Sequence, residues 1–385
     1  MTDRPQPPGG DAGPLLAGYD RHSLGGLLPG AARALGIDLG LPAVPLPPAQ
    51  RICVLLIDGL GERQLSAAGR HTPSLSGMQR RILLAGCPTT TATSMGSFGT
   101  GLPPGRHGLA GYLVLDPDRD ELLNELTWHP DTDPVGWQPH PTVFESLAEH
   151  GVRTVAIGNP EFAGSGLTTA AHRGSEFVGV KGLHSRVDTA VAALVDPAGP
   201  ALVYLYWGAV DAAGHRYGWR SPQWRRAVRQ VDRQVSRLRA ELPAGTLLLV
   251  TADHGMVDAA EVDRIDLADR PDLSADIRIV GGEPRFVQLY CEPTTATGVA
   301  GLLAAELGDR AWVRTREDAE SAGWFGTGPI DDRVRPRFGD VLVAARGLFT
   351  LVDSRWMSAS ERGLIGYHGS LTPEEQQIPL IVHPC

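Results

Sequence analysis

The sequence predicts an α/β fold, with a mostly parallel central sheet, helices on both faces and a smaller inserted α+β subdomain. Strands buried on both faces of a parallel sheet read as continuous apolar runs, and three such runs stand out, at 51–57, 201–206 and 246–251. Helical spacing of apolar residues occurs between and around them, at 143–150, 187–194 and 223–242. Because strands and helices alternate, the strands are expected to run parallel.

The segment 258–350 breaks this alternation and is interpreted as the inserted subdomain. One helix is predicted there at 297–307, and the predicted strands are 277–280, 286–291, 312–315 and 340–344. The main α/β domain then comprises 19–257 and 351–385, with a last strand at 379–382. Residues 1–18 are rich in proline and glycine and are predicted to be a disordered tail. Residues 112–140 lack clear periodicity and are predicted to be an irregular excursion.

The composition is that of an ordinary globular protein of 385 residues, 42% hydrophobic and 21% charged. A formal net charge of -9 without a basic block argues against a nucleic-acid polymer as partner. The four cysteines form no CxxC pair and are expected to be reduced thiols. Since no 18-residue apolar run and no basic-then-apolar leader occur, we expect no membrane association and a cytoplasmic location.

One stretch, residues 87–101, places hydroxyl side chains at the expected start of a helix. Pro88 ends a short apolar run at 82–85, three threonines follow, and small residues then open a helix predicted at 92–99. Hydroxyls at a helix N-terminus lie where unpaired N–H groups and the helix dipole favour an anion. The alternative is that these threonines only cap the helix.

Aspartates and histidines recur near predicted strand ends, where open α/β sheets bind ligands. The residues concerned are Asp58, Asp211, His215, Asp253, His254 and His368. Asp211 and His215 are four apart, so on a helix both side chains could reach one cation. Each group alone arises easily by chance, and a lone histidine is more often structural. Taken together with Thr91, the set predicts a metal centre.

These motifs, in their order along the chain, resemble the alkaline phosphatase superfamily, and most closely its type I phosphodiesterase/nucleotide pyrophosphatase branch. The resemblance covers about residues 50–382. It rests on the sequences at 57–59 (IDG), 88–92 (PTTTA), 100–108 (TGLPPGRHG), 211–215 (DAAGH), 251–256 (TADHGM) and 367–371 (YHGSL). The main domain is therefore expected to be an alkaline-phosphatase-like catalytic α/β domain.

The resemblance implies a site with two zinc ions, for which manganese or iron could substitute. One ion would be held by Asp211, His215 and His368. The other would be held by Asp58, Asp253 and His254, with Thr91 as its oxygen ligand. Thr91 would also be the catalytic nucleophile, because the family's nucleophile precedes the helix at a fixed distance from the Thr-Gly-Leu of the following loop. A bound metal would activate it by lowering the pKa of the hydroxyl. Thr90, one residue away, is the alternative nucleophile.

The substrate implied by the resemblance is a small phosphate ester, cleaved at a phosphodiester or pyrophosphate bond through a phosphothreonyl intermediate. Residues expected to contact it are Ala92, Ser94 as a donor to a phosphoryl oxygen, and Tyr206 and Trp207 as stacking partners, although core packing is an equal interpretation of both aromatic residues. The alternatives are a phosphomonoesterase or phosphonate hydrolase with the same ligands, a phosphomutase-like transferase, and a non-catalytic metal-binding protein.

Overall fold

The structure is a computed structural model that describes residues 13–195, 199–259 and 263–385. Most of the predicted disordered tail, residues 1–12, lies outside the described residues. Its last part is ordered, because the Leu15 N–H donates to the Leu371 carbonyl at 2.9 Å and Ala17 is buried. Leu16 packs against a hydrophobic cluster of the main fold. The prediction of disorder is therefore wrong for residues 15–17, whose apolar side chains are anchored.

Strands occur along the whole described chain. In chain order they are β1 (Arg51–Ile57), β2 (Arg80–Leu84), β3 (Leu113–Asp116), β4 (Glu121–Asn124), β5 (Arg153–Gly158), β6 (Glu176–Gly179), β7 (Ala201–Trp207), β8 (Thr246–Thr251), β9 (Val257–Asp258), β10 (Arg264–Asp266), β11 (Ile277–Glu283), β12 (Phe286–Cys291), β13 (Ala311–Thr315), β14 (Val341–Ala345), β15 (Thr350–Val352), β16 (Gly366–Tyr367) and β17 (Gln377–Pro384).

The α-helices alternate with the strands of the main domain. They are α1 (Leu27–Ala34), α2 (Glu62–Ala68), α3 (Pro73–Ser76), α4 (Thr91–Thr100), α5 (Pro104–His107), α6 (Pro134–Trp137), α7 (Val143–Glu149), α8 (Gly166–His172), α9 (Leu183–Leu194), α10 (Ala209–Tyr217), α11 (Pro222–Glu241), α12 (Pro271–Ser274), α13 (Ala296–Leu307), α14 (Arg316–Ser321), α15 (Ala359–Arg362) and α16 (Pro373–Gln376). None of the helices in the described ranges is long and apolar enough to cross a membrane.

The central sheet has seven strands in the order β2–β17–β8–β1–β7–β5–β6. β1 pairs in parallel with β7 and β8, and β5 pairs in parallel with β6 and β7, whereas β17 is antiparallel to its neighbours. Residues 52–57 of β1 are all buried, so elements cover both faces of this strand. The predicted α/β fold class with its mostly parallel sheet is confirmed.

A second sheet lies within the segment predicted as the insertion. Its four antiparallel strands have the order β11–β12–β14–β13, and α13 packs on it through Val299, Leu303 and Leu307. The predicted strands and the helix at 297–307 match these elements closely. We call this four-stranded sheet the insert sheet. The division of the chain into domains stays a prediction, and its boundary at 350/351 falls inside β15, which pairs with β10.

The segment 112–140 is more regular than its sequence suggests. β3 and β4 form an antiparallel hairpin in which Val114 pairs with Leu123, and both side chains are buried. The short helix α6 follows, capped by the Asp133 side chain, which accepts from two backbone N–H groups. The prediction of an irregular excursion is wrong here, because two strands of four residues are too short to show a period.

Candidate metal centre

Three adjacent strands of the central sheet deliver carboxylates to one edge. β1, β7 and β8 are parallel neighbours, so their carboxyl ends meet. Asp58 directly follows β1, Asp253 lies just past β8, and Asp211 lies in the first turn of α10, just past β7. The backbone after β1 lies close to the Asp211 side chain. A Cβ added to Gly59, whose φ is +70°, would lie 2.8 Å from an Asp211 carboxylate oxygen.

Three histidines direct the same ring nitrogen towards these carboxylates. Their Nδ1 atoms pair with backbone carbonyls: His215 with Gly366 at 2.8 Å, His254 with Gly255 at 3.0 Å, and His368 with Thr89 at 2.8 Å. Because a carbonyl can only accept, each Nδ1 carries the proton and each Nε2 keeps a free lone pair. The Nε2 atoms of His215 and His368 are 3.2 Å apart, so two of these lone pairs converge.

Three aspartate oxygens among the described residues are buried without a hydrogen-bond partner. They are Oδ1 of Asp58, Oδ1 of Asp211 and Oδ2 of Asp253. His254 Nε2 lies 3.4 Å from Asp58 Oδ1 and 3.6 Å from Asp253 Oδ2. Burial, and then the charges of Asp253 and Asp211, raise the pKa of Asp58 well above its usual value. Buried anions without partners are costly, so these oxygens and the histidine lone pairs together fit divalent cations.

The potential ligand atoms form two groups, within each of which all atoms lie within 4.8 Å of one another. One group contains Asp211, His215 and His368, the three residues predicted to hold one ion. The other contains Asp58, Asp211 and His254. The sequence had predicted Asp253 in this second group, where the structure has Asp211. Asp253 Oδ1 is occupied by the N–H groups of Gly59 and His254, both at 3.1 Å, and only its Oδ2 faces the site.

The two neighbouring threonines face different groups. Thr91 is the first residue of α4, and its hydroxyl lies 3.4 Å from His254 Nε2. Thr90 is the N-cap residue, and its hydroxyl is near enough to Glu283 to lower the pKa of that carboxyl. Of the two, Thr91 is the one whose hydroxyl contacts a candidate ligand, His254, and the choice of Thr91 as nucleophile stays a prediction.

Two predicted substrate contacts are corrected by the structure. Ser94 is fully buried, and its hydroxyl donates to the Asp253 carbonyl at 2.8 Å, so it holds a backbone segment rather than a phosphoryl oxygen. Trp207 packs under the Arg186 guanidinium, 4.9 Å from its ring centre, and lines neither of the cavities described below. Ala92 is buried in the first turn of α4, where it can offer only its backbone N–H.

Tyr206 reaches the site through its hydroxyl group. The hydroxyl donates a short hydrogen bond to Asp58 Oδ2, which orients that carboxylate. Burial, followed by the charge of Asp58, raises the pKa of Tyr206 well above its usual value, so the tyrosine remains a donor. Its ring also packs edge-on against Phe162, with centroids 5.9 Å apart. Sequence reasoning proposed stacking and missed the hydrogen bond.

Two cavities meet at Thr91, and both are also lined by Asp211 and Leu126. The sheet-side cavity, of about 240 Å³, has mainly apolar and aromatic walls that include Phe162, Phe177, Tyr204 and Tyr206. The insert-side cavity, of about 300 Å³, lies between the metal ligands and the insert sheet, and its walls include Tyr112, Val280, Glu283, Trp356 and Leu364. A molecule bound at Thr91 thus has room for a substituent on each side.

Glu283 is a site residue that sequence reasoning missed. It ends β11, and its Oε2 lies 3.6 Å from His368 Nδ1. Its Oε1 is buried without a hydrogen-bond partner, and burial raises the pKa of this carboxyl well above its usual value. The predicted strand stopped at Val280 because Gly281 and Gly282 follow, so no strand end was expected at Glu283.

The sequence profile of type I phosphodiesterases/nucleotide pyrophosphatases matches residues 52–371, which is most of the chain and includes Thr91 and all of the candidate metal ligands. The chain belongs to this family. A relative is ectonucleotide pyrophosphatase/phosphodiesterase family member 7 of Rattus norvegicus, 32% identical over 230 residues, a stretch that is 55% of this chain and 52% of that protein. The chain spans about half or less of the length of the curated relatives that it matches.

Solved structures of other proteins share the fold of this chain, which is a phosphodiesterase/pyrophosphatase family member. Murine ectonucleotide pyrophosphatase/phosphodiesterase 5 superposes with a TM-score of 0.68 at 18% identity, covering 86% of this chain and 87% of the other. Phosphonoacetate hydrolase from Sinorhizobium meliloti 1021, in complex with phosphonoacetate, gives a TM-score of 0.68 at 21% identity, covering 88% and 91%. At these identities the likeness concerns the fold, which agrees with the α/β architecture described above.

Proposed function

We propose that the chain hydrolyses small phosphodiesters or pyrophosphates, such as nucleotide-like esters, with Thr91 as nucleophile. The observation that carries this proposal is the position of Thr91. Its hydroxyl lies at the N-terminus of α4, beside His254 of one group of potential metal ligands, and Thr91 lines both cavities. Membership of the phosphodiesterase/pyrophosphatase family supports the same reaction class. Two cavities favour a diester, because a monoester has one substituent to place.

The ligand atoms suit two zinc ions, with manganese or iron as substitutes. Asp211, His215 and His368 would hold one ion, and Asp58, Asp253 and His254 would hold the other, with Asp211 within reach of both groups. When bound, the ions would lower the pKa of the Thr91 hydroxyl, stabilise the leaving oxygen and later activate water. Tyr206 would keep Asp58 oriented through its hydrogen bond.

Thr91 would carry out the first displacement. Its Oγ attacks phosphorus in line with the leaving oxygen, a threonine–phosphorus bond forms, and the phosphorus–leaving-group bond breaks. The leaving alkoxide takes a proton from solvent, and the threonine proton passes to solvent. Water then attacks the phosphothreonine, releasing the phosphate monoester and restoring the hydroxyl. Throughout, the N–H groups that open α4 face the phosphoryl oxygens and favour their negative charge.

The test is a paired assay on zinc-loaded protein with bis(p-nitrophenyl) phosphate and p-nitrophenyl phosphate at equal concentration. We expect faster cleavage of the diester, and loss of cleavage with a chelator. Thr91→Ala should retain its metal, measured by atomic absorption, yet lose at least about 1000-fold in turnover, as expected when a nucleophile is removed. Thr90→Ala is the matched control and should remain active.

Other outcomes would change the proposal in defined ways. If Thr90→Ala were the inactive variant, the nucleophile would be Thr90. Faster monoester or phosphonate cleavage would assign the same site to a phosphomonoesterase or a phosphonate hydrolase. Transfer of phosphate from a phosphorylated sugar to an acceptor, with little inorganic phosphate released, would indicate a phosphomutase-like transferase. Zinc binding without turnover of either ester would contradict an enzymatic role.

A further inference from the structure

A fully buried ion pair joins the insertion to the segment that follows His368. Arg285 lies in the turn between β11 and β12, and Glu375 lies in α16. The guanidinium donates to the carboxylate through two bonds, from Nη2 to Oε2 at 2.7 Å and from Nε to Oε1 at 3.2 Å. Neither side chain has any exposed surface. The pair therefore connects two separate parts of the chain across the interior.

The backbone of the insertion holds Arg285 in place. Its Nη1 donates to the Phe349 carbonyl at 2.6 Å, and its Nη2 donates to the Ala345 carbonyl at the end of β14 at 3.3 Å. The Arg285 carbonyl accepts in turn from the Ala345 N–H at 2.8 Å. The guanidinium is thus fixed by other contacts when it presents two N–H groups to Glu375.

Glu375 holds the loop at 368–372. Its Oε1 accepts from the Ser370 N–H at 3.0 Å, and its Oε2 accepts from the Thr372 hydroxyl at 2.5 Å. With the two bonds from Arg285, each oxygen of this carboxylate has two donors, so its capacity as an acceptor is filled. One buried carboxylate therefore fixes the loop on one side and is itself fixed on the other.

His368 is oriented by that loop together with Thr89. The Thr89 hydroxyl donates to the Ser370 carbonyl at 2.9 Å and accepts from the Gly369 N–H at 3.0 Å, and the Thr89 N–H donates to the Gly369 carbonyl at 2.9 Å. The Thr89 carbonyl accepts from Nδ1 of His368 at 2.8 Å. Because these bonds join Thr89 to the loop, the position of Ser370 determines where the acceptor for the imidazole lies. Thr89 also lies two residues before Thr91, the proposed nucleophile.

The backbone of Glu375 reaches the other ligand group. Its carbonyl accepts from the Gly255 N–H at 2.8 Å, and Gly255 follows His254 and supplies the carbonyl that pairs with Nδ1 of that histidine. The two backbones lie against each other, since a Cβ added to Gly255 would be 2.0 Å from the Glu374 carbonyl oxygen. Glu375 is thus bonded to a near neighbour of one candidate ligand in each group.

Burying this ion pair is costly, so stability alone does not account for it. Apolar residues of similar size often replace a buried ion pair without loss of stability. Such residues cannot supply the acceptor that the Ser370 N–H and the Thr372 hydroxyl use here. What the pair provides is therefore a fixed acceptor beside the loop of His368.

We propose that Arg285 and Glu375 are positioning residues, whose ion pair fixes the loop after His368 and so holds Nε2 of this histidine where it can bind a cation. Arg285 acts through Glu375, because its described contacts include no candidate ligand. The proposal rests on the proposed function in one respect, the binding of a metal ion by Asp211, His215 and His368. It does not depend on which ester is cleaved.

The experiment measures zinc per chain at free zinc concentrations set by a chelator buffer, on variants shown by circular dichroism to be folded. Glu375→Leu removes the carboxylate and keeps a side chain of similar size. We expect the affinity for the ion held by His368 to fall by about 10–100-fold, the range for groups that support a ligand. Glu375→Gln keeps an acceptor for the Ser370 N–H and should bind zinc several-fold more tightly than Glu375→Leu. Cobalt in place of zinc should show shifted absorption bands in Glu375→Leu.

A double variant tests whether Arg285 acts through Glu375. Arg285→Met should also weaken zinc binding, because the carboxylate loses the group that orients it. Arg285→Met combined with Glu375→Leu should bind zinc no more weakly than Glu375→Leu alone, since residues in one chain of contacts are not additive. A combined loss equal to the product of the two single losses would contradict this order of action.

Two controls separate positioning from a loss of stability. Asp232→Ala removes another buried carboxylate, which accepts from two backbone N–H groups of α3, and should lower the urea midpoint without changing zinc affinity. Glu374→Gln removes a charge from the same helix as Glu375, where it pairs with Arg63 at the surface, and should change neither.

Two results would overturn the proposal. One is unchanged zinc affinity in Glu375→Leu, and the other is an equal loss of affinity in Asp232→Ala. If Glu375→Leu does not fold, Thr372→Val removes one donor of the loop to the same carboxylate and should weaken zinc binding several-fold. Unchanged affinity in that variant would then count against the proposal.

Failure of the proposed function gives a different pattern. If the wild type binds zinc and cleaves no ester, catalysis alone is refuted, and the zinc measurements still decide the role of Glu375. If it binds neither zinc nor cobalt, diethyl pyrocarbonate labelling of the metal-free protein, read by mass spectrometry, replaces them. His368, whose side chain is 8% exposed, should react several-fold faster in Glu375→Leu, whereas the exposed His150 should react equally in both proteins. Equal rates at His368 would reject the positioning role itself.

Discussion

The central sheet and the insert sheet contribute to the site in different ways. The central sheet supplies Asp58, Asp211 and the Asp253-His254 pair from the ends of adjacent parallel strands. The insert sheet supplies Glu283 from the end of β11, together with one wall of the larger cavity. The candidate ligands on the central sheet lie close enough together to share a cation. Glu283, in contrast, lines the wall of a cavity.

This difference suggests a division of labour between the two sheets. Carboxyl ends of parallel strands form a rigid edge, which suits atoms that must be held at fixed distances around metal ions. The antiparallel insert sheet lines the cavity next to that edge, so substitutions in it need not move the candidate ligands. We therefore propose that the central sheet holds the groups that carry out the chemistry and that the insert sheet shapes the cavity beside them. Three measurements test this proposal, and they follow in order of decreasing effect.

The largest effect is expected from the metal ligands of the central sheet. Asp211→Ala should lose more bound zinc than His215→Ala, because Asp211 belongs to both ligand groups and His215 to one. Both variants should lose at least about 100-fold in turnover, exceeding the roughly 10–100-fold typical of groups that only support a ligand. Zinc per chain is measured by atomic absorption after gel filtration. Loss of zinc in Glu283→Gln would break the assignment, since the insert would then hold metal.

A smaller effect is expected at Tyr206, which touches the metal centre without being a ligand. Tyr206→Phe removes the hydrogen bond to Asp58 Oδ2, and turnover should fall by about 10–100-fold. Tyr217→Phe, the same change on a tyrosine that is 40% exposed, is the control and should have no effect. An unchanged rate in Tyr206→Phe would show that Asp58 is held by other contacts.

The smallest effect on activity is expected where the hairpin β3–β4 meets the insertion. Glu125 accepts from the Trp137 indole N–H at 2.8 Å and from the Gly111 N–H at 3.1 Å, and the Arg337 guanidinium lies over the Trp137 ring. Burial raises the pKa of Glu125 to about 7. Protonated Glu125 therefore favours the folded state below about pH 4.5, and this contribution disappears as pH rises through 7.

Glu125→Gln should remove that dependence without changing turnover. Between pH 5 and pH 8 the wild type should lose up to about 3 kcal/mol of unfolding free energy relative to the variant, the equivalent of the pKa shift. Chemical denaturation at both pH values measures the difference, and groups common to both proteins cancel. A difference that is constant with pH would show that Glu125 titrates normally.

The residues that the structure brings together as candidate ligands could be singled out from the sequence, because each is tied to a pattern with a local cause. Asp58 follows a continuous apolar run, and Asp211 and His215 are spaced to share a face of α10. A long buried strand gives a clear run of apolar residues, so the ends of these strands could be predicted closely from the sequence.

The remaining features depend on contacts that no local pattern reveals. Glu283 was missed because β11 continues through Gly281 and Gly282, residues that normally interrupt a strand. Gly282 has a φ of +78°, and a Cβ there would meet the Phe286 carbonyl oxygen at 2.2 Å, so the glycine is required by the fold of the hairpin. Ser94 was proposed as a substrate contact because the family resemblance places a phosphoryl donor three residues after Thr91, and that position does not reveal that the Ser94 hydroxyl donates to the Asp253 carbonyl.

The strand order of the central sheet also bears on how the protein is made. β17 lies between β2 and β8, and β2 has β17 as its partner in this sheet. A chain that leaves the ribosome from its N-terminus can pair β1, β5, β7 and β8 early, whereas β2 must wait about 300 residues for β17. His368 also emerges late, so the nascent chain lacks a complete ligand set until synthesis has passed it. An ion that needs His368 as a ligand can therefore be held only after residue 368 has been synthesised.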